Sequence, residues 1–155
     1  MSKYIPPSNN GELVERWLKR ARESQLGHYA MVDNQSSKHV ALGLITIVVT
    51  ACLGVTNIVA DLPQPIKIGL GLLALVASFV SALQTFFKFE ESANSHRLAA
   101  IEYGKIRRQL ETITATEENP AGLIDEIRTK LDELAASSPN IPERFHVEAK
   151  EKINE

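Results

Sequence analysis

Two histidines, one pair of adjacent carboxylates and a set of arginines and lysines are the residues whose types could do chemistry in this chain. His28 lies before the uncharged run that opens at Val40, and His96 lies after the one that closes at Phe87. Their two offsets differ by less than one helical turn, so on antiparallel helices the imidazoles can face each other. Two such ligands without nearby cysteines or a local acidic cluster do not make a zinc site, and no metal is expected. An interhelical hydrogen bond or a polar ligand pocket is the preferred reading, and a histidine titrating near neutrality could add pH sensitivity. Glu90 and Glu91 are adjacent, which on a helix points them about 100° apart. They read as a solvated face, not as a proton-sharing pair. There is no glycine-rich phosphate loop, no Ser/His/Asp arrangement in a recognisable context and no zinc spacing, and Gly69 and Gly71 lie in an apolar run. The chain is not expected to be an enzyme, and no cofactor is expected.

The elements that would position these residues are organised around two apolar runs. Neither Val40–Ala60 nor Ile68–Phe87 contains a charged side chain. Each matches the length of about 20 residues that a helix needs to cross a hydrocarbon core of about 30 Å. Asp61–Lys67, with two prolines and two charges, is expected to be a tight turn between them. A pair of helices buried in a soluble all-α domain is the alternative, but the other segments are too short and too charged to surround two helices that have no polar face. The fold class expected is therefore all-α: a transmembrane helical hairpin (40–87) with a cytoplasmic N-terminal helix (1–39), a cytoplasmic extension of the second helix (88–113) and a C-terminal region of one or two short helices (114–155).

Charge follows the same division. The 17 basic and 19 acidic side chains leave a net charge of −2, yet residues 114–155 hold 10 of the acidic groups against 5 basic ones. Lys38 and Arg22 precede the first run, Lys88 and several arginines follow the second, and the turn offers only Lys67. The excess of Lys and Arg beside the outer ends of the runs predicts that both termini are cytoplasmic. The first run begins only at Val40, after a long polar lead, unlike a cleaved signal peptide. The single cysteine, Cys52, lies inside that run and reads as a packing residue.

Along the chain, Asn9 or Asn10 can cap a first helix with Glu12 in its first turn. Its stripe is Leu13, Trp17, Ala21, Ser24, His28, Met31 and Gln35. Ser36 and Ser37 mark either a bend or a helix that continues. With no breaker after Phe87, the second helix is expected to run unbroken to about Ile113, with the seam Phe89, Ala93, His96, Ala100, Tyr103, Arg107 and Leu110. Thr114–Asn119 is a polar break. Asn119-Pro120 starts a helix through Leu123, Ile127, Leu131 and Leu134 to about Ala136. Pro142 starts a last helix, to which Phe145 and Ile153 give little to bury. The terminal helices could fold back on the seam or pair between subunits.

Within the apolar runs, Thr46, Thr50 and Asn57 recur on one side of the first, and Ser78, Ser81 and Thr85 on a small-residue face of the second. Two readings stay open. Small residues let helices pack closely and hydroxyls can bond to their own backbone, or one stripe lines an aqueous path in an oligomer, since Asn57 and Gln84 need a partner or water.

The stretches Trp17–Tyr29 (WLKRARESQLGHY) and Phe89–Tyr103 (FEESANSHRLAAIEY), on either side of the paired apolar runs, resemble the SLATT family of two-transmembrane bacterial effectors over roughly Leu13–Leu110. His28, Tyr29, His96, Arg97 and Tyr103 are the family-like positions. The resemblance implies a pore-forming effector of antiphage defence in the bacterial inner membrane. It also implies a trigger outside this sequence, such as a protein or a cyclic or linear oligonucleotide made by a partner nucleotidyltransferase. One hairpin cannot enclose a pore, so a homo-oligomer is expected, with a tetramer the leading choice. Lys19, Arg20, Arg22, Arg97, Lys105, Arg107 and Arg108, with His28, His96 and Tyr103, are the ligand-binding or gating candidates, because guanidinium groups contact phosphate bidentately. A non-conducting membrane-anchored scaffold that recruits a cytosolic partner through the acidic tail is the alternative. A lysis protein of phage origin is a third, weaker reading.

Overall fold

The computed structural model describes residues 5–58, 62–116 and 121–154. Among them all regular structure is helical, in the order α1 (Asn10–Ile58), α2 (Gln64–Phe87), α3 (Phe89–Thr116), α4 (Ala121–Ser137) and α5 (Glu143–Asn154). Two compact units result. One comprises Met1–Val32 with Asn94–Glu155 (unit 1), the other Asp33–Ala93 (unit 2).

α1 starts where its caps permit. The Asn9 Oδ1 atom accepts the Glu12 backbone N–H at 2.8 Å, which satisfies one of the amides that a helix start leaves without a partner. Glu12 accepts from the Ser8 N–H at 2.7 Å and the Ser8 hydroxyl at 2.8 Å, and it pairs with Arg16. These contacts, the Ser8 amide first, hold the Glu12 carboxyl down at about 2. Asn9, not Asn10, is thus the cap. Ser36 and Ser37 both lie within α1, so the helix continues through them.

The core of unit 1 joins α1, α3 and α4. Val14, Ala21, Tyr103, Ile106, Leu110, Ile113 and Ile127 are buried together, with Trp17, Leu123, Leu131 and Leu134 packed against them. Two positions of the expected stripes move by one residue. Val14 is buried where Leu13 was expected, and Ile106 takes the seam position assigned to Arg107. The α3 seam therefore runs Tyr103, Ile106, Leu110, Ile113. Packing prefers the branched aliphatic chain there, while the longer Arg107 side chain reaches sideways to Glu111 at 3.4 Å.

The C-terminal helices fold back within unit 1. On α4, Ile127 is fully buried, as its apolar spacing predicts. α5 buries more than its sequence indicated: Phe145 and Ala149, one helical turn apart, are 8% and 2% exposed. Ala149 carries little hydropathy, so this face was illegible from residue size. Ile141, just before α5, packs against buried Gly27. A Cβ at Gly27 would stand 3.2 Å from the Ile141 Cδ1 atom, so the glycine admits that close approach. The polar break expected at Thr114–Asn119 begins later, since α3 continues to Thr116. The Asn119-Pro120 start lies outside the described residues.

Unit 2 has a different character. Among the described residues, two helices are long and apolar enough to cross a membrane. In the first, none of the most apolar window is buried, and in the second only 6% of it. Leu44, Ile47, Leu72, Leu75, Phe79 and Phe86 are all more than half exposed. The Gln84 Nε2 group donates to the His39 carbonyl at 3.2 Å and lies 3.5 Å from where a Gly43 Cβ would stand. α2 begins at Gln64, with Pro63 as N-cap residue and a proline in the first turn, so Gln64–Lys67, expected in the turn, belongs to the helix. Asp61 lies outside the described residues.

The expected unbroken second helix is interrupted at Lys88. Its φ of 45° and ψ of 46° are left-handed, the one positive φ at a non-glycine residue among those described. Its amide still donates to the Gln84 carbonyl at 3.2 Å, and its carbonyl accepts from Ser92 at 3.0 Å. No proline or glycine announces this break.

Candidate functional site

The buried histidines meet. The His28 and His96 Nδ1 atoms are 2.8 Å apart, with both side chains 2% exposed. An Nδ1–Nδ1 hydrogen bond requires one ring to carry its proton on that nitrogen and the other to leave it bare, so the two imidazoles hold complementary tautomers. The rings lie 5.1 Å apart and tilted by 45°, and Tyr103 stacks on His28 at 5.5 Å. Burial, then the charges of His96 and His146, push the His28 imidazole down to about 4. Burial lowers His96 as well. Both rings are accordingly neutral at neutral pH, the state in which their mutual hydrogen bond forms. Two nitrogens sharing a tetrahedral zinc would stand about 3.3 Å apart; at 2.8 Å the pair is joined directly.

Beside this pair, unit 1 contains a cleft of about 290 Å³. Trp17, Tyr103 and Leu131 give it an apolar wall, while Arg20 from α1, Arg128 from α4 and Lys150 from α5 bring three cations to it. Glu23 and Asp132 are the acidic groups facing it, and His146 lies on the α5 side. Tyr103 belongs to both features, since its ring stacks on His28 and also lines the cleft. Arg128 is held by Asp125, which accepts its Nη2 at 2.7 Å and its Nε at 3.0 Å. No carboxylate stands within ion-pair distance of Arg20 or Lys150 among the described residues. A second cleft, of about 340 Å³, lies between α3 and α4. Its lysines are neutralised, Lys105 by Glu102 and Lys130 by Glu126, each at 2.6 Å.

The basic residues singled out in the sequence do not gather into one cluster. Arg20 alone among them lines the first cleft. Lys19, Arg22, Arg97 and Arg108 are exposed outside it, Lys105 is paired, and Arg107 is half-buried beside Glu111. Arg128, His146 and Lys150 were missed. They lie on α4 and α5, and only the amphipathic spacing of α4 hinted that this region returns to the first helix.

The polar positions of the apolar runs turn largely inward on their own helices. The Thr46 hydroxyl donates to the Leu42 carbonyl at 3.0 Å, Thr50 to Thr46 at 2.8 Å, and Thr85 to Ser81 at 3.2 Å. Ser78 and Ser81 are exposed. The Asn57 side chain lies outside the described residues. No protein-family model matches the chain, and neither a curated protein nor a solved structure does so.

Proposed function

We propose that the chain is a homo-oligomeric membrane pore whose unit 1 senses a ligand and whose unit 2 spans the bilayer as a two-helix hairpin. The exposed apolar surface of unit 2 carries this reading. Helices whose most apolar windows are almost wholly unburied need lipid or further copies of the chain to cover them. The excess of Lys and Arg outside the two runs orients both termini to the cytoplasm of a bacterial inner membrane. One hairpin encloses nothing, so at least about four copies surround the pore axis. The resemblance to SLATT effectors supports the same reading, in which the pore arrests an infected cell by permeabilising its membrane. The pore-facing side is assigned to Ser78 and Ser81, because Thr46, Thr50 and Thr85 bond their own helix backbones.

Those self-satisfied hydroxyls favour one competing reading, a hairpin that anchors a helical scaffold and conducts nothing. Recruitment through the acidic tail is less favoured within it, because α5 already buries Phe145 and Ala149 in unit 1. Ion flux through purified protein in sealed liposomes separates the two, measured with and without extract from infected cells. Flux that depends on a component of the extract and disappears in Ser81→Leu at unchanged expression supports the pore. A correctly inserted oligomer that passes no ions under any condition refutes it and leaves the scaffold.

A further inference from the structure

The first cleft has the make-up of a small-molecule site. Its cations come from three helices that are far apart in sequence, α1, α4 and α5, so their convergence is a product of folding and not of a local basic run. Two of the three, Arg20 and Lys150, have no carboxylate partner among the described residues, although other Arg and Lys side chains pair with Glu on the same three helices. Arg20 and Lys150 thus line the cleft with Glu23 and Asp132 but are engaged by neither carboxylate within ion-pair distance, which leaves both cations free to contact an anion. Against them stands Trp17, half-buried and without a ring partner among the described residues. An indole half open to a cleft offers a stacking face. Glu23 and Asp132 add acceptors beside the cations, which suit donor groups such as sugar hydroxyls or a ring amine. The volume of about 290 Å³ lies at the small end of ligand pockets, which start near ~300 Å³.

We propose that this cleft binds a small phosphorylated molecule bearing a flat ring, of the nucleoside monophosphate class, with Arg20 and Lys150 on the phosphate and Trp17 against the ring. The site takes one nucleotide unit; a longer strand does not fit within it. Arg128, fixed by Asp125, flanks the phosphate, and Glu23 and Asp132 take the hydroxyl or amine donors. Because Tyr103 lines the cleft and also stacks on His28, an occupied cleft is in direct contact with the packing of α1 against α3. The proposal rests on the reading of unit 1 as the sensing part, but binding is measured without any membrane flux, so the two can fail separately.

Trp17 is the only tryptophan in the chain, and its emission therefore reports on the cleft alone. Full-length protein in detergent micelles is titrated with adenosine monophosphate, adenosine and inorganic phosphate while Trp17 emission is followed. Saturable quenching by the monophosphate is expected, at least tenfold tighter than by adenosine and tighter than any response to phosphate. Arg20→Ala and Lys150→Ala each weaken it about tenfold, the effect of removing one charge-assisted hydrogen bond. Lys19→Ala, an exposed cation outside the cleft, leaves it unchanged. Both cleft cations are exposed, so these variants keep their helical content by circular dichroism. Absence of saturable quenching overturns the proposal, as does equal affinity for inorganic phosphate or an unchanged affinity in both cleft variants. Binding without flux in liposomes would retain the site and refute the pore, and ligand-dependent flux without binding at Trp17 would do the reverse.

Discussion

Lowering the pH from 7 to 5 acts on a proton that the folded protein holds off and the unfolded chain accepts. His28 sits at about 4 in the fold against an ordinary value of 6.5, so the unfolded state binds more protons over that interval and stability falls as pH drops through it. At about 1.36 kcal/mol per pH unit, the full difference corresponds to about 3 kcal/mol, reached only below pH 4. By pH 5 roughly 2 kcal/mol of it is lost, and screening by residual solvent reduces this to about 1–2 kcal/mol. For a chain of this size that is a fall in melting temperature of about 2–8 °C. The assay is thermal unfolding in detergent micelles, followed by circular dichroism between pH 7 and 5. The double variant His28→Phe/His96→Leu, which removes both buried imidazoles, should melt with little dependence on pH in that window. Glu12 does not interfere, because its carboxyl is held at about 2 and its contribution is lost only as pH falls from 4.5 toward 2. A wild-type melting temperature that is flat from pH 7 to 5, or a double variant with the same slope, would refute the reasoning.

Leu110→Ala removes a fully buried side chain from the unit 1 core and should cost about 2–5 kcal/mol, read as a large fall in melting temperature. Lys88→Gly should be more stable than Lys88→Ala by about 0.5–1 kcal/mol, because both lose the Glu91 pairing at 2.8 Å and only alanine keeps the left-handed penalty of a Cβ, partly offset by the greater chain entropy of glycine; comparative melting of the two variants checks the sign. Thr50→Val should leave both stability and liposome flux within about twofold of wild type, since the Thr50 hydroxyl is satisfied by its own helix at 2.8 and 3.0 Å. Gly27→Val should loosen α5, because even a Cβ there lies 3.2 Å from the Ile141 Cδ1 atom; faster proteolytic release of the C-terminal segment is the readout.

The parts of this architecture that follow from periodicity were legible in the sequence. Helical spacing placed His28 and His96 at similar heights, and the fold joins them at 2.8 Å; the same spacing gave the Leu123, Ile127, Leu131 face of α4. Errors came where periodicity is degenerate or where small residues do the packing. Ile106 and Arg107 are neighbours that both fit a seam drawn at three- and four-residue steps, and the core takes the aliphatic Ile106 while Arg107 turns toward Glu111. Ala149 buries itself by fitting, which residue type does not announce. The cleft was missed for a different reason: Arg20, Arg128 and Lys150 share no local pattern, and their meeting depends on how far α4 and α5 fold back. The break at Lys88 was illegible because lysine is an ordinary helix former, and the left-handed backbone there is set by its surroundings.

That break divides one long dipole into two. A continuous helix through this region would leave Lys88, Glu90 and Glu91 as mid-helix charges, far from either pole. With α2 ending at Phe87 and α3 beginning at Phe89, the Lys88 backbone N–H caps α2 on the Gln84 carbonyl, its ammonium pairs with Glu91 at 2.8 Å, and Glu90 and Glu91 fall in the first turn of α3, at its positive pole. The two carboxylates thus meet a helix end of opposite sign, an arrangement typically worth about 0.3–1 kcal/mol per charge. The adjacent carboxylates that look like an idle pair in the sequence are, in the fold, counter-charges to a helix terminus.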